Sequence, residues 1–116
     1  MRIGGVPEHF NLPWKLAIAD NAFAETGVDV EFIDYPGGTG AMTSALRDHE
    51  LEAAIVLTEG AVLDILNGGG NRLVSIYVES PLVWGIHVAA GGPVTAVNEG
   101  QRVAISRFGS GSHLIA

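Results

Sequence analysis

Val28-Asp29-Val30-Glu31-Phe32-Ile33-Asp34-Tyr35, then Pro36-Gly37-Gly38-Thr39-Gly40, then Ala41 to Asp48 decide the fold class. In the first eight residues Val28, Val30 and Phe32 alternate with Asp29, Glu31 and Ile33, which predicts a strand. Pro36 ends it, a glycine-rich turn follows, and Met42, Ala45 and Leu46 give the next segment a short apolar helical face. Strand, turn and helix in that order form one βα unit, and such units in series build a mainly parallel sheet.

The same grammar extends in both directions. Upstream, Arg2 to Val6 reads as a strand, and Leu12, Leu16, Ala19, Ala22 and Phe23 recur at helical spacing, with Pro13 in the first turn and Gly27 as the stop signal. Downstream, Ala53 to Leu57 is small and apolar throughout, as a central parallel strand should be. Thr58 caps a helix over Glu59 to Asn67, which ends at Gly68-Gly69-Gly70. Strands are then predicted over Arg72 to Glu79, Leu82 to Ala89 and Gln101 to Ser106, with Ser80-Pro81 as a bend between the first two. The fold class predicted is α/β, a three-layer sandwich around a mainly parallel sheet.

Composition narrows the function. The 116 residues carry a net charge of −7 with only six Lys and Arg, spread along the chain, so there is no basic footprint for a nucleic-acid backbone. Cysteine is absent, which excludes disulfides, thiolate metal sites and a cysteine nucleophile. Residues 1–7 read as a strand and turn rather than a secretory signal, so the chain as given is expected in the cytoplasm; a periplasmic location would require a signal removed from it. No apolar run approaches the roughly 20 residues that cross a bilayer. At 47% hydrophobic residues and a mean hydropathy of +0.31, the chain has either a deeply buried sheet or a surface meant to be covered.

Three βα junctions carry the candidate chemistry, because in open α/β sheets ligands bind beyond the carboxyl ends of the strands. They are Glu8-His9-Phe10, Gly37-Gly38-Thr39-Gly40 and Leu57-Thr58-Glu59. The glycine turn offers a hydroxyl and the unpaired N–H groups of a helix start to an anion or carbonyl, although glycine is also the default for a tight turn. Glu8 and Glu59 suit a ligand amine, or acid/base work; equally, Glu8 reads as a solvated loop residue and Glu59 as a carboxylate favoured by the helix dipole. Trp14 and Trp84 read first as core residues, although Trp84, just after Ser80-Pro81, could wall a cleft, and Phe10 could stack on a flat ligand. Ser106-Arg107, followed by Ser110, Gly111 and Ser112 in a second Ser/Gly-rich helix start, adds a guanidinium suited to an acidic group; equally, these serines read as the caps of a helix start. None of the four histidines pairs at a metal-ligand spacing, so no metal and no cofactor are expected.

Five blocks in order, Pro7-Glu8-His9-Phe10, Tyr35 to Gly40, Leu57-Thr58-Glu59-Gly60, Tyr77 to Trp84 and Ile105 to Ser112, resemble a group of type II periplasmic-binding-protein-like proteins. That group is similar to the sulfonate-, nitrate- and thiamine-precursor-binding proteins of ABC importers. The resemblance implies two α/β lobes with a small solute between them and an ABC permease as partner. Residues 1–100 would be lobe one, with 101–116 the crossover and start of lobe two, so that the chain looks like an N-terminal fragment. Glu8, His9, Phe10, Gly38, Thr39, Gly40, Thr58, Glu59 and Trp84 would line lobe one, and Ser106, Arg107, Ser110, Gly111 and Ser112 would come from lobe two. A homodimer is expected to cover the apolar surface such a fragment leaves open. The expected role is binding without catalysis. The alternative is an enzyme acting on a small heterocycle, with Glu59 or His9 as acid/base; the related pyrimidine-synthase branch, however, relies on a cysteine-rich motif and iron that this chain cannot reproduce.

Overall fold

The computed structural model describes residues 1–116. Three strands, β1 (Arg2–Gly5), β2 (Glu31–Asp34) and β3 (Ala53–Ala54), form a parallel sheet in the order β2-β1-β3. Ile3 lies opposite Phe32 on one side and Ala53 on the other, so β1 is the central strand. Four helices complete the mixed α/β architecture: α1 (Leu12–Ala19), α2 (Gly38–Arg47), α3 (Thr58–Leu66) and α4 (Gly111–Ile115). Helix α2 packs on β1 and β3, α1 meets β2, α3 packs on α2, and α4 packs on α3.

The elements form where the local signals agree. Helix α1 begins with Pro13 in its first turn and stops at Ala19; a short 3-10 turn over Ala24–Thr26 then ends at Gly27, whose φ of 68° is the left-handed cap that glycine adopts without a Cβ penalty. The predicted apolar periodicity out to Phe23 therefore overshoots the helix. Helix α2 starts three residues earlier than its apolar face suggests, because Gly38-Thr39-Gly40 is taken into its first turn. On its buried side, Met42 and Ala45 pack with Leu51, and Tyr35, Leu46, Ala54 and Val56 close around them.

All fifteen buried residues lie within 3–61 or at Ser110 and Gly111. This distribution explains the largest departure from the sequence reading. The strands predicted over 72–79, 82–89 and 101–106 are not strands here, and residues 70–105 contain neither helix nor strand. A strand needs a neighbour to satisfy its N–H and C=O groups, and no backbone hydrogen bond joins this stretch to a strand, so its strand-forming side chains remain exposed. It is pinned to the α/β body at Tyr77, whose hydroxyl donates to the Phe10 carbonyl at 2.7 Å and whose ring lies 6.2 Å from Trp14.

Candidate functional site

The carboxyl ends of the three parallel strands lead into the three predicted junctions. After β1, Glu8 precedes a 3-10 turn over His9–Asn11, with Glu8 and His9 exposed and the Phe10 ring edge-on to His9 at 5.7 Å. After β2, the Gly38 N–H is taken by the Tyr35 carbonyl at 3.0 Å, and Gly38 opens α2 at φ 70°. Only a residue without Cβ takes that conformation freely. After β3, Thr58 and Glu59 form the first turn of α3, Thr58 exposed and Glu59 half-buried.

Thr39 ties two of these junctions together. Its side chain is buried, and its hydroxyl accepts the Leu57 N–H at 3.4 Å across 18 residues, while its methyl packs where Gly60 has no side chain. The hydroxyl thus has a structural task, and what α2 offers outward is the backbone of its first turn, whose N–H groups have no intrahelical partners.

Arg107 is brought to the same place from 70 residues away. Its Nε donates to the Gly37 carbonyl at 2.9 Å, and its guanidinium lies over the face of Gly38. Gly109 then passes against Gly40, backbone on backbone. A cleft of about 160 Å³ lies beside this segment, between the first half of α2 and the length of α3, lined by Thr39, Gly40 and Thr43, by Gly60, Leu63, Asp64 and Asn67, and by Gly109 and Leu114. A guanidinium beside the positive end of a helix is electrostatically suited to an anion, which both would attract.

Of the two readings of this helix start, ligand donors or caps, the serines follow the second. Ser110 caps α4 by accepting the His113 N–H at 3.3 Å, and it donates to the Arg107 carbonyl at 2.7 Å. Ser112 Oγ lies 3.0 Å from both Ser106 Oγ and Ser110 Oγ, and it accepts the Ser106 N–H at 3.0 Å. The three hydroxyls satisfy one another and shape the loop that carries Arg107. Gly111 is buried between Leu57 and the Trp84 ring, so Trp84 supports α4 with one side of its ring while remaining partly exposed.

Asn11 is a residue at this edge that the sequence reading passed over. It is fully buried; its Nδ2 donates to the Val6 carbonyl at 2.8 Å and its Oδ1 has no partner. An Asn immediately before a Leu-Pro helix start is an N-cap signal, and it was legible as such; here the side chain turns back to the end of β1 instead of capping. A larger hollow, about 350 Å³, lies at the opposite end of β2, lined by Ile18, Phe23, Val28 and Val30 with Asn21 and Asp29. It brings together no cationic side chain and no helix start.

Only one ionisable pair is strongly perturbed, and it is remote from this edge. Hydrogen bonds from the Arg2 side chain and backbone N–H hold the Glu52 carboxyl at about 2, and Glu52 in turn raises Arg2. No three His, Asp or Glu side chains cluster as a metal site requires. No helix is long and apolar enough to cross a membrane. The chain matches no protein-family model, no curated protein and no solved structure.

Proposed function

We propose that this chain binds a small polar organic solute at the carboxyl edge of its sheet, as the first lobe of a type II periplasmic-binding-type protein. In that reading the three-stranded sheet and its helices are part of a three-layer sandwich. The second lobe begins after residue 100, and the partner is an ABC permease, or none in a cytoplasmic relative. One observation carries the reading. Arg107 is held over Gly37 and Gly38, so that a guanidinium stands at the start of α2, whose Thr39 and Gly40 line the neighbouring cleft. The loop with the exposed Glu8 and His9 leaves the same sheet edge, so in this reading Glu8 is the partner for a ligand amine and Arg107 the partner for an acidic group. The proposal involves no covalent chemistry and no cofactor.

The experiment is a thermal-shift screen of amino acids, amino sulfonates and aminopyrimidines, followed by titration of any stabilising compound. A ligand present at 100 times its dissociation constant adds about 2.7 kcal/mol to folding stability, a shift readily seen in a chain of this size. Arg107→Lys keeps the charge but loses the planar fork, and weakens an acidic ligand by about 1–3 kcal/mol. Turnover of a bound compound, rather than its recovery unchanged, would replace binding with catalysis.

A further inference from the structure

We propose that the ribbon from Leu73 to Val88, together with the open edge of β3, is an interface between two copies of this chain. The chain exposes 8514 Å², whereas a compact monomer of 12.1 kDa exposes about 6,000 Å². The radius of gyration is 17.2 Å, against about 13 Å for a compact domain of this length. The excess is about 2,500 Å². An obligate homodimer removes roughly 1,000–2,500 Å² from each chain, so one further copy is enough to cover it.

Val74, Ile76, Val83 and Ile86 are 80%, 76%, 88% and 72% exposed. From Leu73 to Asn98 the only formally charged residue is Glu79. A chain of net charge −7 repels a copy of itself wherever its charged surface is presented, and this ribbon is the surface on which that repulsion is smallest.

A second copy fits this surface better than an unrelated partner does. The ribbon is rich in β-branched and aromatic residues but pairs with no strand, while β3 is hydrogen-bonded to β1 on one side only. Unpaired edge and unpaired strand former are complementary, and one chain carries both. Two copies related by a two-fold axis therefore satisfy each other twice at this edge, ribbon on β3 and β3 on ribbon, and close the pair there. The ribbon is also held in place to do this. Tyr77 is fixed to Phe10, and Trp84 and Leu57 both close on Gly111, which sets the middle of the ribbon beside the chain leaving β3.

Sedimentation velocity of the full chain between about 1 and 100 μM, a range spanning the affinities of stable dimers, tests the proposal. The expected species has twice the 12.1 kDa mass, and hydrogen exchange at residues 53–56 and 73–88 should speed up on dilution. Val83→Asp and Ile86→Asp should weaken the dimer about 30-fold or more, as loss of an interface anchor does, with an unchanged far-UV spectrum. Leu66→Asp, on an α3 residue that is 77% exposed and outside the ribbon, should leave the dimer intact. A monomer across the whole range overturns the proposal, as do open-ended growth with concentration, insensitivity to both ribbon variants, or equal loss with Leu66→Asp.

Discussion

Replacing Gly38 with alanine tests the construction of the α2 start. At φ 70° an L residue pays about 1–2 kcal/mol for the left-handed conformation. The new methyl also falls where the Arg107 guanidinium lies, so Arg107 must move and its 2.9 Å bond to the Gly37 carbonyl is lost. That exposed bond contributes about 0.5–1.5 kcal/mol. The sum, about 1.5–3.5 kcal/mol, lowers Tm by about 6–14 °C in a chain of this length. Thermal melts of Gly38→Ala, Arg107→Ala and the double variant separate the two parts: Arg107→Ala alone should cost only the bond, and Gly38→Ala should cost less in its presence by the same amount. Strict additivity would show that Arg107 and Gly38 do not interact, and a neutral Gly38→Ala would remove the left-handed start of α2 from the description.

Met42 is 1% exposed at the centre of the cluster beneath α2, so Met42→Ala should cost about 2–5 kcal/mol in denaturant titration and threaten folding of so small a core. Thr39→Val keeps the shape but removes the acceptor for the Leu57 N–H; about 1–2 kcal/mol is expected in the same assay, together with faster exchange of the Leu57 amide. Glu52 is held at about 2, below its ordinary 4.5, so its contribution is fully present above pH 4.5 and fades as pH falls through about 2. Acid melts of wild type and Glu52→Gln should therefore converge below that pH, and added salt should shrink the difference because the pair is exposed.

The parallel sheet was legible because its signals are local. Strand alternation at Val28 to Tyr35, the glycine turn and the apolar face around Met42 each follow from neighbours in sequence, and β1, β2 and β3 fall within the segments read as strands. What was not legible depends on distance. Arg107 reaching Gly37, and Gly109 lying on Gly40, join residues some 70 apart, and no spacing rule announces them. The three serines read as ligand donors because a Ser/Gly-rich helix start looks the same whether its hydroxyls face a ligand or one another. The segment 72–106 shows the converse. Its β propensity is plain in Leu73 to Val78 and Leu82 to Val88, yet propensity describes fit to a pleated surface, and within one chain that surface is not there.

The proposal of a polar solute at the carboxyl edge is tested most directly by a ¹⁵N-HSQC titration of the chain with the screened amino acids, amino sulfonates and aminopyrimidines. Saturable shifts at Glu8 to Asn11, Gly37 to Gly40, Leu57 to Glu59 and Arg107 to Ser112, absent in Arg107→Ala for acidic compounds, are the predicted result. Saturable shifts confined to Ile18, Phe23, Val28 and Val30, or no saturable shift with any compound, would contradict it.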